Sequence, residues 1–351
     1  MGKLDSATVK SLARERGFQL AGITGAEPAG EAEYFFQWLA QGYAGEMGYL
    51  DGRRADMRAD VRRLMPSARA VLCLGLVYNT PLPYSTCWTE PERAWISRYA
   101  WADDYHEIMR ERMGDLVARL RRIERFDSKI CVDTSPLLER AYAQRAGLGW
   151  IGHNTCLIGQ QIGSWVFLGE ILLSLDLEPD RPAPFRCGSC TRCIEACPTQ
   201  AIVPTGRPEG PAYALDSRRC ISYWTIELRG PIPAEHRAET GRHVFGCDIC
   251  QDVCPWNRRA AVTGEPDFAP RWAAPPLEKL ASLTEQEFDE MFRSSPVRRA
   301  RYCGFLRNVA VAMGNSRHPK FREALEKLAA SSDALVREHA LWALEEIGEP
   351  C

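Results

Sequence analysis

Nowhere in this 351-residue chain is there an apolar run long enough to cross a bilayer. The N-terminal segment from Met1 to Ser6 has neither an apolar stretch behind a basic start nor a twin arginine. Neither a membrane span nor an export signal of the usual kind is therefore expected, and the expectation is a soluble, cytoplasmic protein with no membrane partner. An excess of one charge is also missing: 44 Lys and Arg against 46 Asp and Glu leave a formal net charge of -2. Without a global positive field, any contact with nucleic acid must come from a local basic patch. Gly2 and Ser6 fit the N-myristoylation pattern, but the segment after them reads as an ordinary amphipathic helix.

Cysteine is the exception to this even composition. There are 14, of which eight fall into one block and six are scattered, a pattern that fits a reducing compartment. The block opens with Cys187-x2-Cys190-x2-Cys193-x3-Cys197-Pro198 and closes with Cys247-x2-Cys250-x3-Cys254-Pro255, the spacing of a ferredoxin that holds two 4Fe-4S clusters. Each cubane needs four converging thiolates. A turn with Cys at three-residue intervals supplies three, and the last Cys of each run ligates the other cluster. The second run lacks its first member, because position 244 is Val, and Cys220 is the nearest residue to complete the set. One cluster is expected on Cys187, Cys190, Cys193 and Cys254, the other on Cys197, Cys220, Cys247 and Cys250. Paired zinc sites and disulfides are the alternatives, although zinc ribbons use two-by-two pairs and rarely a three-plus-one run ending in Cys-Pro.

At this length two or three domains are expected. Residues 1–180 alternate helical stretches with short apolar runs, at Ala70 to Tyr78, Ile130 to Val132 and Trp165 to Leu173, an α/β layout. Residues 181–265 are loop-rich, with Pro182, Pro184, Pro198, Pro204, Pro208 and Pro211 interrupting regular structure around the cysteines. Residues 266–351 read as helices of 3.6-residue periodicity, with Phe321, Ala324, Leu325 and Leu328 on one apolar face and Val336, Ala340, Leu341 and Leu344 on another. Arg307 with Ala310 and Arg337 with Ala340 recur thirty positions apart, and the stretch from Asp333 is similar to a HEAT-type repeat. Such a tail either offers a curved binding surface or caps the core. Arg298, Arg299, Arg301 and Arg307 would grip phosphates or form a solvated face.

Gly147-Leu-Gly149-Trp-Ile-Gly152 spells the dinucleotide fingerprint, but those glycines should follow a strand, and Leu137 to Arg145 reads as a helix. A tight turn at the edge of a cavity is the better reading. Asp133 ends the apolar run Lys129 to Val132 and would point beyond a strand end, where a desolvated carboxyl serves as a general acid. The competing role is to cap the next helix. Asp104-x-His106-x-x-Met109 comes close to the Asp-x-His-x-x-Gly signature that offers histidine to cobalt, but Met replaces the Gly, so His106 is not read as an axial ligand. His153, after the glycine turn, either lines a cavity or is structural.

Four segments taken together carry a resemblance: Val132 to Arg140 with Gly149 to Asn154, Cys187 to Thr199, Arg219 to Glu227, and Gly246 to Asn257. In this order, over nearly the whole chain, they resemble the epoxyqueuosine reductase family. That resemblance implies a cobalamin-dependent iron-sulfur enzyme that reduces the epoxide on the modified wobble base of tRNA to an alkene, the last step of queuosine synthesis. The fold it implies is an α/β cobalamin domain of the reductive-dehalogenase type, a ferredoxin-like domain with two clusters, and a helical-repeat tail. It also implies that Asp133 is the proton donor and that base-off cobalamin contacts Ser97, Arg98, Asp133, His153, Ser222, Cys247 and Asp248. The partners implied are tRNA and an external electron donor such as a flavodoxin or ferredoxin, with the enzyme a monomer. A reductive dehalogenase and a non-catalytic electron-transfer module are the rival readings.

Overall fold

The computed structural model describes residues 3–207 and 210–348. Gly2 of the acylation pattern, Pro208 of the proline set and residues 349–351 of the expected tail lie outside the described residues. A four-stranded sheet is built from β1 (Leu20–Gly25), β2 (Ala70–Val77), β3 (Ser128–Cys131) and β4 (Val166–Leu173), in the order β1-β2-β4-β3. Every neighbouring pair is antiparallel. The alternation of helix and strand does not reveal this polarity, since long connections return the chain in either direction.

All eight residues of β2 are buried, because helices cover both faces. Leu72, Leu74 and Leu76 face α1 (Ser6–Glu15) and α2 (Tyr105–Arg121), meeting Val9, Leu12, Met109, Met113 and Leu116. The alternate residues Val71 and Cys73 face α3 (Glu139–Arg145), meeting Ala141, Tyr142 and Ala143. Each fully buried leucine contributes about 1.5–3 kcal/mol, so a charge at Leu74 would unseat the sheet. The connection from β3 into α3 carries Asp133, which brings the sheet's edge to the candidate site.

The cysteine block contains only short elements, among them the single-turn helices Arg192–Glu195 and Ile249–Asp252 and the hairpin Ile202–Pro204 with Tyr213–Leu215. The C-terminal helices α4 (Tyr302–Ser316), α5 (Arg322–Ala329) and α6 (Ala334–Glu346) bury one face. Their apolar cluster takes in Ala94, Ile96, Ala100, Trp101, Val244 and Phe245, so the tail shares a core with earlier parts of the chain.

Two expectations for the tail are corrected. Leu341 is 50% exposed, because the inward stripe of α6 runs Val336, His339, Ala340, Ala343, and a residue five positions after Val336 lies well round the helix. His339 is a polar member of that stripe. It donates from Nδ1 to the Leu335 carbonyl at 2.8 Å, and its Nε2 accepts the Ile232 amide at 3.1 Å. Arg307 is only 1% exposed. Its guanidinium donates to the carbonyls of Trp224, Leu228 and Gly230, fastening the tail to the cysteine block and leaving nothing for phosphate. No helix among the described residues is long and apolar enough to cross a membrane.

Candidate active site

Asp133 has φ 42, a left-handed conformation that costs a non-glycine residue about 1–2 kcal/mol. Its amide donates to Glu139 Oε1 at 2.6 Å, so the first turn of α3 holds the strained residue in place. The side chain turns to His106 on α2, with Oδ2 3.2 Å from Nε2, while His106 Nδ1 lies 2.7 Å from Asp104 Oδ1. A carboxylate only accepts, so an imidazole held between two of them carries a proton on each nitrogen. Burial works against that charge, but the hydrogen bonds and charges of Asp104 and Asp133 outweigh it and push His106 up to about 9. The effect on Asp133 is reciprocal. Burial would raise its carboxyl, yet the His106 bond and charge, with Arg299 behind them, leave it below the ordinary range. Burial and the adjacent Asp133 charge push Glu139 up to about 8. At neutral pH the pocket therefore holds an ionised Asp133 beside an imidazolium and a neutral carboxylic acid. Sequence reading set His106 aside as a cobalt ligand and gave Glu139 no role. Their link to Asp133 spans separate elements, which spacing does not show.

The Asp133 side chain is 49% accessible, and arginines gather close to its loop. Arg54 and Arg110 donate to the neighbouring Thr134. Arg299 pairs with Glu227 at 2.5 Å and covers the Tyr49 ring at 5.3 Å. The Tyr99 phenol is pushed up by burial and by the charges of Asp133, Glu227 and Asp248, and its ring edge lies against Gly246, 3.7 Å from where a Cβ would stand there, next to Cys247. Asp248 is buried, receiving the Ser97 hydroxyl at 2.5 Å and the Arg98 amide at 2.6 Å. Arg98 turns its guanidinium away, to Asn79, Thr80, Leu82 and Pro83, and lies over the Trp101 ring at 4.6 Å. Ser97, Arg98 and Asp248 are thus brought together.

The thiols that repel one another's ionisation fall into two sets. Cys193 feels Cys254, Cys187 and Cys190, while Cys247 feels Cys220 and Cys197, and Cys250 feels Cys247 and Cys220. Cys156 acts on members of both groups, Cys254 in the first and Cys220 and Cys250 in the second. Among the described residues no three His, Cys, Asp or Glu side chains converge closely enough to hold a single metal ion. Burial pushes Cys220 up to about 11 and Cys193 up to about 12, so iron coordination is what would keep these sulfurs as thiolates. Amides are aimed at them: those of Tyr223 and Ser222 at Cys220, and that of Ala201 at Cys197 Sγ, 3.3 Å away. Ser222 thus sits beside the second set. His153 sits beside the first, its Nδ1 2.9 Å from the Cys190 carbonyl and its ring between Phe185 and Tyr213. Cys156, which no spacing singled out, hydrogen-bonds Cys250 and stands as a ninth thiol next to the second set.

Gly147 has φ +79 after helix α3, and an added Cβ at Gly149 would meet the Ile158 carbonyl oxygen at 2.3 Å. These glycines serve a helix end and close packing, with no helix N-terminus to receive a pyrophosphate.

A family model for a 4Fe-4S double cluster binding domain matches residues 186–257, and one described as epoxyqueuosine reductase QueG, DUF1730, matches residues 58–134. The epoxyqueuosine reductase of Xanthomonas campestris pv. campestris is 43% identical over 350 residues, 98% of this chain and 96% of that one. That of Pseudomonas aeruginosa is 42% identical over 355 residues, covering 97% of this chain and 94% of the other. A solved epoxyqueuosine reductase with a tRNA-Tyr epoxyqueuosine-modified stem loop superposes with TM-score 0.87 at 28% identity, over 98% of this chain and 90% of that one. A Bacillus subtilis epoxyqueuosine reductase, captured with its catalytic aspartate loop swung out of the active site, gives TM-score 0.86 at 29% identity, over 98% of this chain and 90% of that one.

Proposed function

The chain belongs to the epoxyqueuosine reductase family, and we propose that it performs that family's reaction, reducing epoxyqueuosine in tRNA to queuosine. The observation that carries the proposal is the Asp133–His106–Glu139 cluster, with the buried Tyr99 phenol subject both to the Asp133 charge and to that of Asp248, the neighbour of Cys247 in the second cysteine set. Removing the epoxide oxygen as water consumes two electrons and two protons, and the two halves of the site divide these between them.

The eight cysteines would hold two 4Fe-4S clusters, and Asp133, Ser97, Ser222, Cys247 and Asp248 would be among the residues that hold cobalamin. Bound there, these groups supply low-potential electrons to the epoxide carbon. The protons belong to the protein. Asp133 faces the substrate and delivers a proton drawn from the His106 imidazolium, so that the carboxylate is the conduit and the imidazole the store. Glu139, neutral at pH 7, holds the second proton against the Asp133 loop. A residue in a strained conformation suits a loop that moves, and the swung-out aspartate loop of the Bacillus subtilis relative supports that reading. The wobble base reaches the pocket by being splayed out of the anticodon loop. Arg54, Arg110 and Arg299 stand where its flanking phosphates would pass, with the HEAT-like tail as a further RNA contact and an external one-electron carrier as the source of electrons.

The test is an anaerobic assay of protein loaded with iron, sulfide and cobalamin, on tRNA carrying epoxyqueuosine and, separately, on a chlorinated phenol. Conversion of the nucleoside to queuosine with no dehalogenation is expected. Dehalogenation without tRNA conversion would overturn the proposal.

A further inference from the structure

The two cysteine sets differ in what lies over them. The loop of the first run is open: Phe185, Arg186, Gly188, Ser189 and Arg192 are all exposed. Across residues 181–200 and 254–260 the charged side chains are Arg181, Arg186, Arg192, Arg258 and Arg259 against Glu195 alone, in a chain whose net charge is -2. All five arginines are exposed, and none makes an ion pair among the described residues. Elsewhere on the surface arginines are commonly paired, as at Arg69 with Asp176 and Arg119 with Glu15.

A second observation marks the same face. Phe185, at 55%, is the most exposed of the large apolar side chains, and its ring lies 5.3 Å from that of His153, whose Nδ1 is 2.9 Å from the Cys190 carbonyl. On the other side of the loop, Trp150 donates to Cys187 Sγ at 3.4 Å and packs edge-on against Trp256 at 4.8 Å. The first set therefore sits beside a thin aromatic layer with the exposed Phe185 at one end, and exposed arginines flank its cysteines in sequence: Arg186 and Arg192 about Cys187 to Cys193, Arg258 and Arg259 after Cys254. The second set has no such arginine-rich loop over Cys247, which adjoins the buried Asp248.

We infer that the face formed by Phe185, Arg186, Arg192, Arg258 and Arg259 is the docking surface for an acidic one-electron carrier protein, which delivers electrons to the first cysteine set. An exposed apolar side chain in a segment rich in unpaired positive charge fits a transient partner: the charge steers encounter and the small apolar contact keeps release fast. The inference rests on the proposed function only in requiring an outside electron source; it requires nothing of the tRNA reaction.

The experiment uses the cluster-loaded full chain and reduced flavodoxin as probe. The double variant Arg186→Glu/Arg192→Glu and, independently, Arg258→Glu/Arg259→Glu are compared with the parent in flavodoxin binding and in the rate of cluster bleaching, each at low and high salt. Both pairs should weaken binding and slow flavodoxin-driven bleaching about tenfold or more at low salt, with the difference shrinking as salt rises. Bleaching by dithionite should stay at the parental rate. Using two pairs keeps the outcome decisive should the one next to Cys187 and Cys193 fail to load clusters. Parental flavodoxin binding and bleaching in the Arg258/Arg259 pair, or binding indifferent to salt, would overturn the inference. A normal docking result with no turnover on modified tRNA would instead count against the proposed function alone.

Discussion

In the proposed reaction one half of this molecule supplies electrons and the other protons, and the two are built on opposite plans. The electron side is one continuous block, from Cys187 to Cys254, where prolines and single-turn helices bend the chain so that sulfurs and amides converge. The proton side is assembled from pieces: Asp104 and His106 at the start of α2, Asp133 after β3, Glu139 in α3 and Arg299 from the tail. A prosthetic cluster imposes its own geometry on a short chain, so its ligands sit at fixed intervals. A proton store has no such template, and its pKa values come from neighbours brought in by the fold.

The largest break expected in that contrast is on the electron side. Cys220→Ser should remove one of two cluster signals in electron paramagnetic resonance and abolish turnover at every pH, while Cys156→Ser keeps both signals. The reverse pattern would make Cys156 the eighth ligand. Next comes Asp133→Asn, which should keep both clusters and bound cobalamin while lowering turnover about 10²–10⁴-fold, the usual worth of a positioned acid. Turnover within tenfold of the parent would remove Asp133 as the donor.

The smallest but most diagnostic change is His106→Gln. In the parent, activity should decline above about pH 8 as Glu139 loses its proton and fall away as His106 titrates near 9, the two steps belonging to a coupled group. Without the imidazolium, Asp133 must hold the proton itself and its carboxyl rises, so the alkaline fall should move to lower pH. An unchanged profile would make His106 a structural partner. The His106–Asp133 attraction also stabilises the fold. Because the histidine pKa is raised from 6.5 to about 9, its share is complete below 6.5 and lost as pH climbs through 9. Thermal denaturation of the parent should therefore show a small alkaline destabilisation that His106→Gln lacks.

What could be read from the sequence follows the same division. The double-cluster domain was legible because Cys-x2-Cys-x2-Cys-x3-Cys-Pro states its chemistry in its spacing, and the buried strands Ala70–Val77 and Val166–Leu173 because both faces are covered and the runs are nearly all apolar. Strand polarity was not legible, nor was the inward face of α6, where a histidine occupies a core position and Leu341 does not. Arg307 looked like one of four surface arginines until the fold placed three carbonyls around it. His106 was judged by a cobalt-ligand motif that it fails, when its partner is a carboxylate 27 positions away.

The most direct test of the account is mass spectrometry of tRNA nucleosides from cells lacking this gene. Epoxyqueuosine should accumulate at the expense of queuosine, and a plasmid copy of the parent, but not of Asp133→Asn, should restore queuosine. Undiminished queuosine in the deletion strain, with no other epoxide-reducing activity in its extract, would contradict the account.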